Sequence, residues 1–194
     1  DFLENHDEEL MKDIELRSNN TLSHVFNLRN LFKRIEPLSI GRLPNKKETN
    51  IYDSIQNALL VYESKFKEQK IHIYNEIDKA LILYAREYDI YTAFINFIEN
   101  SLYWLENSNI ENKFIKFSSK NALTTVLITM YDNGPGISSE YANSVFEPGF
   151  SLKNGTGLGM PIAAEALKRS NANVLIGEVD KGTILYIEFN KENI

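Results

Sequence analysis

The heptapeptide YDNGPGI, Tyr131–Ile137, decides the interpretation of this sequence, because it places a carboxylate and two glycines at the end of a predicted strand. Asn-Gly pairs favour hairpin turns, yet Ser138 to Glu140 has the pattern of a helix cap and first turn, not of a strand. Glycines let the backbone approach a ligand, and a carboxylate accepts hydrogen bonds from exocyclic amines. The stretch therefore indicates either a plain turn or a binding site for a flat base.

A second glycine-rich stretch, KNGTGLGMP, Lys153–Pro161, lies directly before a predicted helix. Alternate glycines expose backbone N–H groups, and the positive end of the helix dipole favours a phosphate chain there. The alternative is a flexible surface loop. The spacing fits neither the dinucleotide fingerprint, since no strand immediately precedes it, nor a Walker A loop, since no Gly-Lys-Ser/Thr follows.

Two asparagines, Asn96 and Asn100, lie four residues apart on a predicted helix and so share one face. The apolar neighbours Phe97 and Ile98 indicate that at least one of them lies near the edge of the core, although both could simply face water. An asparagine oxygen is a suitable ligand for Mg²⁺, which is usually held by few protein groups together with substrate phosphates.

Periodicity gives the order of the other elements. The predicted helices are Glu8–Glu36, Thr49–Lys67, Asp89–Glu106 and Pro161–Arg169. The predicted strands are Ile71–Tyr74, the continuously apolar Ala80–Tyr84, Phe114–Ser118, Thr124–Tyr131, Val174–Val179 and Thr183–Phe189; the turn Lys120-Asn121 joins the middle pair and Asp180-Lys181-Gly182 the last pair. This order predicts an α+β fold: a two-layer α/β sandwich with one mixed sheet covered by helices on one face, preceded by a long N-terminal helix. The expected domains are residues 1–47, a dimerisation-like helix and linker, and 48–194, a ligand-binding domain.

Composition excludes several classes of protein. A net charge of −6 argues against a general nucleic-acid binder. The absence of cysteine excludes disulfides and thiolate metal sites and fits a cytoplasmic location. No apolar run approaches the roughly 20 residues that span a bilayer, so no membrane segment is expected in this chain.

The order of these motifs resembles that of the GHKL superfamily, and more narrowly the ATP-binding catalytic domain of histidine kinases, whose fold is the Bergerat type. Residues Ile95–Ser101 resemble the N box and Asp132–Gly136 the first glycine box. Residues Val145–Phe150, VFEPGF, resemble the F box, and Gly155–Gly159, GTGLG, the second glycine box. The likeness covers roughly Thr49 to Phe189.

The resemblance implies ATP and Mg²⁺ as ligands and gives each site residue a role. Asp132 would accept a hydrogen bond from the adenine amino group, with Gly134 and Gly136 letting the base sit close. Asn100 would hold Mg²⁺. The remaining implied nucleotide-binding residues are the phosphate-loop residues Gly155, Thr156, Gly157, Leu158 and Gly159, the mobile cation Lys153, the lid anchor Phe146, and the base-pocket residues Trp104 and Thr183. Trp104 could equally be an ordinary core residue, and Phe146 a packing residue.

The sequence indicates the ligand more directly than it indicates the reaction. Gyrase-like and MutL-like relatives carry a water-activating glutamate where this chain has Asn96. An amide cannot accept a proton at neutral pH, so Asn96 favours the kinase branch. Asn96 is the residue assigned to the catalytic site. A kinase also needs a phosphoacceptor histidine. In the stretch Phe26–Leu31, which resembles the H box, Phe26 stands where that histidine belongs, and His24 lies two residues earlier, about 200° away around the helix.

Three functions follow as hypotheses. The first is a histidine-kinase-type phosphotransferase acting on its own helix or on another protein, with a homodimer through the N-terminal helix and a response regulator or effector as partner. The second is a slow ATPase or an ATP-gated dimerisation switch. The third is an interaction module that keeps the fold without turnover.

Overall fold

The computed structural model describes residues 45–153 and 155–191, which form a five-stranded mixed sheet, a separate two-stranded sheet and the helices that pack beside them. The strands are β1 (Lys47–Asn50), β2 (His72–Glu76), β3 (Ile82–Ala85), β4 (Phe114–Asn121), β5 (Thr125–Asp132), β6 (Ala172–Gly177) and β7 (Thr183–Asn190). The helices are α1 (Ile51–Leu60), α2 (Glu63–Glu68), α3 (Glu87–Glu106) and α4 (Gly159–Arg169), with short 3₁₀ helices at Ser139–Tyr141 and Ser144–Phe146.

Five strands form the main sheet in the order β2-β4-β5-β7-β6. Strand β2 is parallel to β4, whereas β4–β5, β5–β7 and β6–β7 are antiparallel. The predicted hairpin at Asp180–Gly182 is confirmed, since β6 and β7 pair on either side of it. In this register Asp132, the last residue of β5, lies opposite Thr183, the first residue of β7.

Helices α3 and α4 cover one face of the sheet. The inward residues of β4 and β5 alternate with half-exposed ones, as a sheet with one covered face requires. Phe94 of α3 contacts Phe117 of β4 with ring centroids 6.2 Å apart, which places the helix directly over the sheet. The predicted two-layer α/β sandwich is confirmed.

The chain before the main sheet differs from the prediction. The expected helix Thr49–Lys67 is wrong in its bounds: residues 47–50 form β1, and helix is interrupted between Leu60 and Glu63. The Asn50 side chain accepts a hydrogen bond from the Asp53 amide and so caps α1. The Thr49 hydroxyl donates to the Ala85 carbonyl, a contact across strands that periodicity cannot show.

Strand β3 also differs. Its continuous apolar run predicted burial on both faces, but Ile82 is 54% exposed and Tyr84 47% exposed. The reason is that β3 pairs with β1 in a separate two-stranded sheet, so only the side carrying Leu83 and Ala85 faces the core. The turn after β4 lies later than predicted, because β4 continues to Asn121 and the Ala122 amide donates to the Thr125 carbonyl.

Some predictions concern residues outside the described ranges. The helix Glu8–Glu36, the stretch Phe26–Leu31 and His24 belong to that part, so the domain boundary and the dimer remain predictions. Within residues 45–153 and 155–191, no helix combines the length and the apolar character needed to cross a membrane.

An ion pair joins the two covering helices at the end where α3 begins and α4 ends. Asp89, 1% exposed in its side chain, accepts from Arg169 at 2.6 Å, and the Arg86 guanidinium donates to the Arg169 carbonyl at 2.6 Å. An acidic residue in a first turn and a basic one in a last turn also suit both helix dipoles. The pair therefore fixes how α3 and α4 lie on the sheet.

The Asp89→Asn substitution should lower the free energy of unfolding by about 3 kcal/mol, because it leaves a largely buried guanidinium without its carboxylate. Urea denaturation measures the loss. The matched control is Glu63→Gln, which breaks the exposed pair between Glu63 and Lys67 and should leave the midpoint unchanged. Equal losses of unfolding free energy in Asp89→Asn and Glu63→Gln would contradict the stabilising role given to the Asp89–Arg169 ion pair.

Candidate functional site

A buried carboxylate lies where β5 ends. Asp132 is 5% exposed, and its two oxygens accept hydrogen bonds from different elements. Oδ2 accepts from the hydroxyl of Ser101 on α3 at 2.6 Å, and Oδ1 accepts from the Gly134 amide at 2.9 Å. The backbone amide and hydroxyl of Thr183 also donate to this carboxyl. Helix α3, the β5 turn and the start of β7 therefore converge on one side chain.

Burial dominates the electrostatics of this carboxyl. It raises the pKa of Asp132 above its ordinary value, and the hydrogen bonds from Ser101, Gly134 and Thr183 oppose the shift without cancelling it. A largely buried acceptor with a raised pKa suits recognition of a neutral donor such as an aromatic amine, for which a strongly solvated carboxylate would be a poorer partner.

The β6–β7 turn packs tightly against the end of β5. Gly182 has φ +83°, and a Cβ placed on it would overlap the carbonyl oxygen of Asp132. A Cβ on Gly136 would lie 2.8 Å from the Gly182 carbonyl oxygen. The first glycine box and the final turn are therefore in contact, which the motif alone did not show.

The two asparagines of α3 lie in different environments. Asn96 is 3% exposed; its Nδ2 donates to the Thr92 carbonyl at 2.7 Å, while no donor among the described residues reaches its Oδ1. That oxygen faces the start of α4, 3.1 Å from where a Cβ on Gly159 would stand. Asn100 is half-buried, and its Oδ1 accepts from the Lys153 ammonium at 3.2 Å.

The second glycine box forms a tight loop that leads into α4. The Gly149 amide donates to the Gly157 carbonyl at 3.1 Å, and Gly157 has φ +64°. A Cβ on Gly157 would lie 2.7 Å from the carbonyl oxygens of Gly149 and Phe150, so this position requires glycine. Gly155 and Thr156 are exposed, and Leu158 stands at the N-cap of α4. The loop therefore enters α4 beside Asn96, and its Lys153 side chain reaches Asn100.

The predicted apolar anchor of the lid, Ile137 to Lys153, is Phe146. Val145 is buried, whereas Phe146 is half-buried, and the 3₁₀ helix Ser144–Phe146 packs against α4. Phe150 packs on Tyr141 with ring centroids 5.6 Å apart. Trp104 is half-buried and lies edge-on to Tyr103 at 5.2 Å. The roles given to Phe146 and Trp104 stay predictions.

Sequence reasoning missed two residues of this region. Ser101 follows Asn100 directly, and a serine on an apolar helix face was the available signal that a buried partner exists. Tyr103 lies beneath the Lys153 ammonium, 4.3 Å from its ring centroid. No sequence signal points to that contact, because the lysine is 50 residues away.

Comparison with known proteins identifies the family to which this chain is similar. The family described as histidine kinase-, DNA gyrase B- and HSP90-like ATPase matches residues 85–193, which is more than half of the chain. The matched range contains Asn96, Asn100, Asp132 and both glycine boxes.

Curated relatives include a sensor protein and a histidine protein kinase. The chain is 32% identical over 108 residues to the sensor protein CitS of Halalkalibacterium halodurans, covering 54% of this chain and 20% of that protein. It is 26% identical over 195 residues to the histidine protein kinase SaeS of Staphylococcus aureus, covering 94% of this chain and 53% of that protein. The chain thus spans about half the length of SaeS and a fifth of CitS.

Solved structures agree in fold. The catalytic domain of histidine kinase ThkA superposes with a TM-score of 0.67 at 24% identity, covering 76% of this chain and 97% of that one. The histidine kinase AdeS of Acinetobacter baumannii gives a TM-score of 0.67 at 19% identity, covering 92% of this chain and 82% of that one. The chain belongs to the histidine kinase-, DNA gyrase B- and HSP90-like ATPase family, and its described part has the fold of a histidine kinase catalytic domain.

Proposed function

We propose that this chain binds Mg²⁺-ATP and transfers the γ-phosphoryl group to a histidine, as the ATP-binding part of a histidine-kinase-like protein. The observation that carries the proposal is the buried Asp132 carboxylate, held by donors from α3 and β7 on the same side of the sheet as the glycine loop that begins α4. Relatives named as histidine protein kinases support the choice of reaction.

Asp132 is the proposed base-binding residue. Its carboxylate can accept one further hydrogen bond from the exocyclic amine of adenine while Ser101 and Gly134 hold its orientation. Thr183 of β7 is the register partner of Asp132 on the neighbouring strand β5, which supports the proposed place of Thr183 in the base pocket. Gly134 and Gly136 complete the wall against which the base would lie.

The groups around Asn100 fit a metal-bound triphosphate. Asn100 Oδ1 accepts a hydrogen bond from the Lys153 ammonium, so this oxygen lies where a metal cation could also bind. The orphaned Oδ1 of Asn96 is a buried acceptor that a ligand could satisfy. Mg²⁺, when bound, neutralises phosphate charge and orients the phosphoryl group. The amides of Gly155 to Gly159 would hold the phosphate oxygens, with Lys153 as a further charge.

The transfer step depends on the positioning of the phosphoryl group and its acceptor more than on a protein side chain that acts as a base. A neutral imidazole nitrogen attacks the γ-phosphorus, the bond from that phosphorus to the bridging oxygen breaks, and ADP leaves with the electron pair. Asn96 cannot activate water by accepting its proton, which favours an imidazole acceptor over hydrolysis. Its amide would instead align the groups near Gly159.

A slow ATPase or ATP-gated dimerisation switch is the second proposal, and the sequence around Phe26 favours it because no histidine stands at the expected place. A homodimer through the N-terminal helix and a response regulator as partner belong to the kinase proposal. The histidine kinase ThkA has been solved in complex with the response regulator TrrA, and that structure aligns with 90% of this chain at 23% identity.

The Asp132→Asn substitution should weaken ATP binding by about 10- to 100-fold, since it removes a hydrogen bond to a charged group. Isothermal titration with ATP and Mg²⁺ measures this. Asp180→Asn is the matched control, because Asp180 is exposed in the neighbouring β6–β7 turn and the net charge changes equally. Unchanged affinity in Asp132→Asn would contradict base recognition by Asp132.

The same substitution should change stability with pH. Because burial raises the folded-state pKa of Asp132, the folded protein binds this proton more tightly than the unfolded chain. The stability that the proton contributes is complete below the unfolded pKa and is lost as pH rises through the folded pKa. The melting temperature of wild type should therefore rise relative to that of Asp132→Asn as the pH is lowered. Calorimetry from pH 8 downwards measures the difference; a wild-type melting temperature that falls relative to that of the variant on acidification would contradict the raised pKa.

The phosphotransfer proposal predicts that the full-length protein, given radiolabelled ATP and Mg²⁺, acquires acid-labile, alkali-stable phosphate on its own chain or on its partner protein. Asp132→Asn at the same ATP concentration is the negative control. Release of inorganic phosphate without labelled protein would identify the ATPase instead. Tight ATP binding with neither outcome would identify an interaction module without turnover.

A further inference from the structure

The side chain of Lys153 leaves the glycine loop and lies on helix α3. Its ammonium donates to Asn100 Oδ1 at 3.2 Å and sits 4.3 Å from the ring centroid of Tyr103. Asn100 and Tyr103 are three residues apart and so lie on one face of the helix. The lysine thus bridges the loop to the asparagine proposed as the metal ligand.

The backbone beneath Lys153 is held in a compact turn. The Ser151 hydroxyl donates to the Lys153 carbonyl at 2.6 Å and accepts from the Lys153 amide at 3.2 Å. The Gly155 amide also donates to the Lys153 carbonyl at 2.7 Å. Because Ser151 and the Gly155 amide both bond to the Lys153 backbone, holding the ammonium on α3 also restrains these two neighbours.

We infer that Lys153, Asn100 and Tyr103 form a lysine latch: without nucleotide, the ammonium occupies the oxygen that the metal needs, and Tyr103 is the positioning residue that keeps it there. This inference rests on the proposed function, since it requires Asn100 to bind the metal of Mg²⁺-ATP. Nucleotide binding then releases the latch.

The competition follows from charge. Mg²⁺ binds oxygen ligands at about 2.1 Å, and an ammonium held at 3.2 Å from the same oxygen would lie beside a doubly charged ion of the same sign. The ammonium must therefore leave Asn100 when the metal arrives. The triphosphate offers it a stronger partner, because a hydrogen bond between two charged groups exceeds one to an amide.

Tyr103 makes the latch specific. An aromatic face attracts an ammonium within about 6 Å, whereas an aliphatic side chain of similar size does not. Tyr103 also packs against Trp104, so a phenylalanine preserves both ring contacts and a leucine preserves neither. Tyr103→Leu therefore removes the contact with Trp104 as well as that with Lys153, and Lys153→Met removes the ammonium while leaving the Tyr103–Trp104 contact in place.

Hydrogen exchange of the loop amides in the full chain tests the latch. Without nucleotide, Tyr103→Leu should accelerate exchange at Lys153 and Gly155 by about two- to five-fold, the factor expected for loss of an exposed cation–π contact. Tyr103→Phe should match wild type. Lys153→Met should accelerate exchange at Gly155 at least as much, and adding Tyr103→Leu to it should have no further effect. Tyr84→Leu, which removes an exposed tyrosine on β3, is the control.

With saturating Mg²⁺ and a non-hydrolysable ATP analogue, Tyr103→Leu and wild type should exchange at the same rate, because the ammonium has left the ring. Unchanged exchange without nucleotide would overturn the latch, and so would equal acceleration in both states, which marks Tyr103 as a general packing residue. A wild-type chain that does not bind the analogue would overturn the proposed function and the release step together, while the nucleotide-free comparison would still decide whether Tyr103 holds Lys153.

Discussion

The hydrogen bonds to the buried carboxylate of Asp132 are the constraint on which the rest of the described structure depends. A carboxylate removed from water is costly unless donors surround it, and here the donors come from α3, from the turn after β5 and from the first residue of β7. Those three segments cannot move apart without exposing an unpaired charge. The register of β5 with β7 places Thr183 opposite Asp132, and Gly182 approaches the Asp132 carbonyl closely.

Much of this arrangement could be predicted from the sequence, and the rest could not, for physical reasons. The motif order predicted the strand that carries Asp132, the glycine loop before α4 and the one-sided sandwich, because these depend on local spacing and on periodicity. The strand β1 was missed because it exists through pairing with β3, some 35 residues away. The exposure of Tyr84 was missed for the same reason: an apolar run shows composition but not which strand stands beside it.

The same distinction applies within the candidate site. Asp132 and Gly134 lie in one short motif and Asn96 and Asn100 in another, so the relative positions of the residues within each motif follow from local spacing. The contacts of Ser101 with Asp132 and of Lys153 with Tyr103 join residues 31 and 50 positions apart. Such pairs depend on how α3 lies against the sheet and the loop, and on the Asp89–Arg169 ion pair that fixes the other end of that helix. Local sequence carries none of that information.

Asn96 has a fixed orientation in the described structure. Its Nδ2 is occupied by the Thr92 carbonyl and its oxygen faces Gly159, so the side chain is oriented along the helix and not free to turn toward a water molecule. An amide cannot accept a proton at neutral pH, so Asn96 itself offers no general base for hydrolysis.

The edge-on packing of Trp104 against Tyr103 has a practical consequence for spectroscopy. The chain contains one tryptophan, and its indole lies one residue from the ring on which the Lys153 ammonium rests. Tryptophan emission from this chain therefore comes from a single indole beside the glycine-rich loop, with no second indole to average the signal. The protein carries a built-in fluorophore at the place where its loop meets α3, and changes there can be followed in an unlabelled, unmodified chain.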